Sequence, residues 1–397
     1  MFNLQLNKLK MKRLKFYRAI VAIAMTLIGW LPSLAHDFEV DGVFYNKTSD
    51  NTVAVTYKGY YSDSYSDEYE GNIVIPSSVD YNGATYSVTS IGDEAFFYCL
   101  KLTSMEIPNS VTSIGDNAFV WCTGLTSIVV DAGNTIYDSR NECNAIIETA
   151  SNTLISGCKN TIIPNSVTSI GYGAFACSTL KSIEIPNSVT SIGDEAFGSC
   201  KLLTSIEIPN SVTSIGYEAF AYCPSLTSIE IPNSVTSIGD GTFNGCKRLT
   251  SIEIPNSVTW IGNYAFDGCW NLTKITCWAT TPPTIHYDTF SNYSADLYVP
   301  VGCKAAYKSA QFWKNFNIIN DTLDNPITLN DNNVTVASIG DYIVVKNATV
   351  GSVVRVYTTD GAKIASEVAT EGDVVIEAPV KGIYVVTVGK QTVKVII

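Results

Sequence analysis

The stretch Ile208-Pro-Asn-Ser-Val-Thr-Ser-Ile-Gly216 returns unchanged as Ile231 to Gly239 and, with one substitution, as Ile254 to Gly262. Outward from it, related units carry an Ala-Phe pair (Thr-Phe at Phe243). These phenylalanines are Phe96, Phe119, Phe175, Phe197, Phe220, Phe243 and Phe266, at spacings of 23, 56, 22, 23, 23 and 23 residues. The interval of 56 reads as one ordinary repeat plus an irregular one of 33. In one full unit, Leu226, Ile229 and Ile231 are expected to point inward from a short strand, and Pro232-Asn-Ser turns the chain. Proline lacks an N–H and suits a strand end. Val235 and Ile238 point inward again, Gly239 permits a tight bend, and Phe243 and Cys246 close the coil. One such unit cannot bury its apolar face alone, whereas stacked units make a continuous core. The expected fold is a β-rich solenoid of 23-residue units spanning residues 81–290.

A 23-residue period with Leu-x-x-Ile-x-Ile in each unit is a leucine-rich-repeat signature. The motifs I-P-N-S-V-T-S-I-G, A-F-x-x-C and L-T-S-I-E resemble the BspA-like (Treponema pallidum-type) leucine-rich repeats of bacterial surface proteins, over roughly residues 36–320. The irregular stretch Asn134–Glu148 with Asn152–Cys158, and the opening segment Phe38–Tyr45, are similar to that family as well. The resemblance implies adhesion to host extracellular-matrix proteins or to other bacteria.

Solenoid ends need covers. Residues 36–80 read as an N-terminal β cap, β hairpins with a Tyr-rich tip from Tyr60 to Glu70. Residues 291–325, with Tyr307, Trp313 and Phe316, read as a C-terminal cap. Residues 326–397 change character: cysteine vanishes and alternating strands such as Val353–Tyr357 and Ile383–Val388 predict a small β-sandwich. Val356–Gly361 and Gly382–Val388 resemble the C-terminal sorting domain of type IX secretion. That resemblance implies passage across an outer membrane; a plain β stalk is the alternative.

Lys8, Lys10, Lys12, Arg13, Lys15 and Arg18 precede an apolar run from Ala19 to Leu31 and then Pro32-Ser-Leu-Ala35. This is the pattern of a secretory signal peptide, residues 1–35, with cleavage expected after Ala35. The run is too short to span a bilayer stably, so no transmembrane segment is expected in the mature, secreted or surface-held chain. The 397 residues carry a formal charge of −12, which becomes −18 once the six basic residues of the leader are removed. An acidic chain without a basic block argues against nucleic acid as a partner. His36 and His286 are the only histidines, which leaves little room for His-rich metal sites or Ser-His-Asp chemistry. No enzyme is expected, and no cofactor.

Cys99, Cys122, Cys177, Cys200, Cys223, Cys246 and Cys269 are assigned to one repeat position. Buried free thiols are expected there, against a ladder disulfide or a metal role. Cys143 and Cys158 are a separate disulfide candidate. Glu106, Glu184, Glu207, Glu230 and Glu253 take the outward position between inward side chains. They form either a solvated face or an acidic strip that meets a basic partner or loosely holds Ca²⁺. Trp260 interrupts a row of Ser113, Ser169, Ser191, Ser214 and Ser237. It packs under the cap or acts as a binding hot spot. Tyr98, Trp121, Tyr172, Tyr217, Tyr222, Tyr264 and Trp270 surround the Ala-Phe pairs, as recognition residues or as ordinary packing. Asp321-Thr-Leu resembles a short O-glycosylation signal. The candidate protein-binding set is therefore Glu106, Glu184, Glu207, Glu230, Glu253, Trp260, Trp121, Tyr222 and Trp270. The function expected is adhesin-like recognition of host or bacterial surface proteins. A structural surface spacer without a specific ligand is the alternative.

Overall fold

A computed structural model describes residues 36–59, 68–300, 303–320, 324–329, 334–339, 342–359, 361–370, 373–380, 382–389 and 391–397. The expected leader, most of the Tyr-rich tip and Asp321-Thr-Leu lie outside the described residues. The chain forms two compact units. One runs to Ile229 and takes in Gly239–Lys247, and the other comprises Glu230–Ile238 and Arg248–Ile397.

The first unit opens with an antiparallel meander, Phe38–Val40, Val43–Lys47 and Thr52–Thr56. Thr52–Thr56 then pairs in parallel with Ala84–Ile91, where the stack of coils begins. On one side of each coil Ser90 pairs with Ser113, and Ser169 with Ser191 and Ser214 in turn. On another side Gly71–Val74, Leu102–Ile107 and Ser127–Val130 form a parallel sheet. Each coil drops an isoleucine, a valine and a phenylalanine into the core. The rings of Phe175, Phe197, Phe220 and Phe243 stack at centroid distances of 5.2, 5.3 and 5.8 Å, within the range of offset aromatic pairs. Phe96 and Phe119 form a second such pair at 5.4 Å. Between Phe119 and Phe175 the chain departs from the coil. Tyr137–Asp138, Ala145–Glu148 and Thr153–Gly157 form an antiparallel hairpin sheet, and its last strand restarts the parallel stack on Ser169–Ile170.

In some coils the glycine of Ser-Ile-Gly serves close backbone approach, whereas at Gly239, where the bend is expected, a Cβ would meet only ordinary contacts at 3.4 Å. A Cβ at Gly115 would lie 2.4 Å from the Asp93 nitrogen, and one at Gly216 2.5 Å from the Asp194 nitrogen. Only glycine lets neighbouring backbones approach so closely. The bends fall instead at left-handed residues two before and two after each phenylalanine. Glu195 (φ 53°) and Ser199 (φ 58°) flank Phe197, and Gly241 and Gly245 flank Phe243.

In the second unit Ser251–Ile254, Lys274–Cys277, Asp296–Val299 and Asn317–Asn320 form one parallel sheet. Tyr307, Trp313 and Phe316 are buried beside it. The Trp313 indole N–H bonds the Pro283 carbonyl at 2.7 Å, and the Tyr307 hydroxyl bonds that of Ala279 at 2.7 Å. Beyond them stand two antiparallel four-stranded sheets. Val336, Ile343 and Val345 of one share a core with Val354, Val356 and Val386 of the other. Among the described residues no helix is long and apolar enough to cross a membrane.

All eleven cysteines are free thiols. Cys143 and Cys158 are not bridged: the first thiol faces the Ala145 carbonyl at 3.8 Å and the second that of Asn144 at 3.4 Å. Cys177 leaves the ladder position assigned to it. It follows Phe175 by two residues rather than three, and at φ 62° it occupies the left-handed site that Ser199 fills in the next coil.

Candidate functional site

Four coils of the first unit, those of Phe96, Phe175, Phe197 and Phe220, end in a segment whose alternate N–H groups bond the next coil. Glu195, Phe197 and Ser199 donate to Tyr217, Ala219 and Ala221 at 2.8, 2.8 and 2.7 Å. Glu94, Phe96 and Tyr98 bond Asp116, Ala118 and Val120 in the same way. These bonds fix the left-handed residues and aim their side chains outward along one edge. Acidic side chains reinforce the stack: Asp93 accepts the Asp116 N–H at 3.0 Å, and Asp194 accepts that of Tyr217 at 2.8 Å.

The edge of the first unit is acidic and aromatic. Burial, followed by the nearby carboxylates Glu218 and Asp194, holds the Glu195 carboxyl above its ordinary range. The Tyr217 hydroxyl donates to Glu218, and that bond is the main cause of its raised pKa. Burial, with Glu195 nearby, pushes the Tyr172 phenol up as well. Glu94, Glu195 and Glu218 are functional candidates that the sequence reading passed over. The signal was present, because an acidic residue two before a phenylalanine recurs in these coils.

The structure brings together only some of the expected residues. Trp121 is half-buried, with the Tyr98 ring centroid at 5.6 Å and the Lys201 ammonium 4.5 Å from its own ring. Tyr222, at φ 56°, is 48% exposed, and in the second unit Trp270 is 60% exposed. Trp260 is half-buried, pairs with Ser237 and bridges Thr284. All five glutamates are exposed. Glu106, however, is flanked by Val74 and Val129, not by other glutamates, because the coils on either side of it carry valine at the glutamate position. Glu184 and Glu207 share the 23-residue offset of the bond from the Thr204 N–H to the Lys181 carbonyl. In the second unit Glu230 bridges Glu253, which also accepts the Trp278 indole N–H at 3.5 Å. Among the described residues no three His, Cys, Asp or Glu side chains converge as metal ligands.

A strand-rich stack with these repeats defines a leucine-rich repeat protein. The chain belongs to the BspA type leucine rich repeat region family, which matches in six copies over residues 76–202 and 214–336. No curated protein matches it. Among solved structures it is similar to a leucine-rich repeat protein from Bacteroides ovatus, with 26% identity, 72% of this chain and 76% of that one covered, and a TM-score of 0.45. The leucine rich repeat protein of T. pallidum is 26% identical, with 59% and 90% covered and a TM-score of 0.32. The pneumococcal vaccine antigen PcpA is 14% identical, with 74% and 100% covered and a TM-score of 0.42.

Proposed function

We propose that this chain is a secreted or surface-displayed recognition protein that binds other proteins through its exposed aromatic and acidic residues. One observation carries the reading. Large aromatics stand outward where the fold does not need them. Tyr222 occupies a left-handed position that Gly245 fills in the next coil without penalty. A non-glycine residue costs about 1–2 kcal/mol in that conformation. Trp270, 60% exposed, contributes little to the core. Tyrosine and tryptophan held in this way suit protein recognition, since they offer large contact area at low conformational cost.

The rest of the reading follows from export. The leader is cleaved after Ala35. Residues 36–80 cap the array, 81–290 form its 23-residue units, 291–325 close it, and 326–397 form a β-sandwich that serves type IX sorting or anchoring. The recurring 23-residue offset, as in Ser191 on Ser214, supports this division. Partners are host extracellular-matrix or bacterial surface proteins. The exposed glutamates favour basic ones and hold Ca²⁺ only loosely, as a counter-ion. The test is solid-phase binding of the purified chain to a panel of matrix proteins and bacterial surfaces. Saturable binding is expected. Its absence across the panel, with ordered self-assembly in its place, overturns the reading in favour of a structural spacer.

A further inference from the structure

Among the described residues, the stack of the first unit has an open rung at the coil of Phe119. Coils followed by another coil of the same unit donate three alternate N–H groups to it. Gly173, Phe175 and Cys177, for example, bond Asp194, Ala196 and Gly198 at 2.9, 2.7 and 2.7 Å. Asn117, Phe119 and Trp121 hold the same three positions, yet among the described residues their N–H groups meet no backbone acceptor. Across from them, the carbonyls of Tyr172 and Ala176 receive no backbone donor. Their neighbour Ala174 accepts only from Gly157, at 2.8 Å. The irregular hairpin has taken the place of a coil edge without supplying one.

The gap is a real space. A cleft of about 280 Å³ lies between these two edges, lined from Ile114 to Val120 on one side and by Tyr172, Gly173, Ala174 and Ala176 on the other. The Phe119 ring reaches it and is 8% exposed, whereas Phe96, Phe197, Phe220 and Phe243 are fully covered. Beyond Trp121 the coils close again, where the Thr179 hydroxyl donates to the Thr123 carbonyl at 3.2 Å. The lining holds two carboxylates, Asp116 and Glu148, and no cation.

We propose that this slot binds an extended, lysine-bearing peptide segment of a partner protein by strand addition. Three alternate N–H groups span about 13 Å at strand rise, which suits four to five residues. The peptide supplies carbonyls to Asn117, Phe119 and Trp121 and N–H groups to Tyr172 and Ala176. A small side chain faces Phe119, and a lysine meets Glu148 and Asp116. Main-chain bonds give affinity in this mode and side chains give selectivity. The inference rests on the reading of the chain as a protein-binding scaffold but uses a different site from Tyr222 and Trp270.

The test is hydrogen exchange by mass spectrometry on the full chain with synthetic peptides as probes. Free, segment 116–122 is expected to exchange at least about tenfold faster than segments 195–200 and 218–223, whose equivalent amides are bonded. The acetylated, amidated peptide Ala-Lys-Ala-Lys-Ala at millimolar concentration should slow segment 116–122 at least threefold. The glutamate counterpart, and a version N-methylated at alternate residues, should not. Glu148→Gln should weaken the lysine peptide about threefold, and Ala176→Phe should abolish protection while leaving segments 195–200 and 218–223 protected. Unchanged exchange at 116–122, or equal protection by all three peptides, overturns the proposal. If surface proteins still bind the chain in that case, the slot fails and the wider reading stands. If the slot is protected while no surface protein binds, the reverse holds.

Discussion

The thiol of Cys200 donates to the carbonyl of Phe175 one coil earlier, at 3.1 Å. The relation repeats in Cys122 to Phe96, Cys223 to Phe197 and Cys246 to Phe220, at 3.0, 3.1 and 3.3 Å. Each cysteine thus ties its coil to the previous one with a weak S–H donor while filling a small apolar site. Burial, with thiol neighbours, holds Cys122 well above the ordinary thiol range, and the bond with Cys223 together with burial does so for Cys200. Cys200, Cys223 and Cys246 are buried, and alkylation needs access to the sulfur, so native alkylation at pH 8 should leave them unmodified. The half-buried Cys303 should react first. Mass spectrometry of tryptic peptides before and after denaturation reads this directly. Modification of the ladder cysteines in the folded chain would show that the rungs open.

The left-handed positions make a stability prediction that no contact in the folded chain reveals. Ser199 sits at φ 58°, so Ser199→Gly should stabilise by about 1 kcal/mol through relief of backbone strain. The opposite change, Gly245→Ala, imposes that strain and places a Cβ 2.9 Å from the Tyr222 ring. It should cost about 1–3 kcal/mol. Urea melts of the two variants should move in opposite directions from the parent, with unchanged slope.

Much of the coil was legible in the sequence. Leu226, Ile229, Ile231, Val235, Ile238, Phe243 and Cys246 were all expected inside, and all are buried. Period-23 placement fixes such residues because every rung repeats the same environment. What was not legible depends on contacts between coils that the period does not encode. The role of the Ser-Ile-Gly glycine comes from the backbone of the preceding coil. Cys177 was misplaced because its coil is one residue short between Phe175 and the ladder site. Glu106 is expected in a glutamate row, yet Val74 and Val129 flank it, since valine holds the glutamate position in the very next coil, ahead of the break that the irregular stretch makes. The open rung beside Asn117 follows from the same break, which the 56-residue spacing announced without saying which edge would be left unpaired.

Glu195 supplies a pH prediction. Its folded-state pKa is raised by burial and by Glu218 and Asp194. Between the unfolded and the folded pKa the folded chain therefore binds more protons than the unfolded one, and stability falls as pH rises. The penalty is absent below the unfolded value near 4.5 and complete above the folded one. Glu195→Gln should then raise Tm at pH 7, by about 1–2 °C for a chain of this size, and leave it unchanged at pH 4. A rise of equal size at both pH values would show that the charge is not the cause.

The exposed aromatics separate binding from folding. Trp270 is 60% exposed, and Trp270→Ala should leave Tm within about 1 °C of the parent, because a side chain outside the core carries little stability. Tyr222→Ala keeps the left-handed strain and removes a half-exposed ring, so its Tm should shift little as well. If these rings are recognition residues, each truncation should weaken binding to a surface-protein partner by about 1–2 kcal/mol, a roughly five- to thirtyfold loss. Trp121→Ala behaves differently. Its ring lies under the Lys201 ammonium and beside Tyr98, so truncation should lower Tm along with affinity. Surface plasmon resonance and thermal melts on the three variants decide the matter. Unchanged affinity for both Trp270→Ala and Tyr222→Ala would remove these two rings from the binding surface and leave the exposed glutamates to account for it.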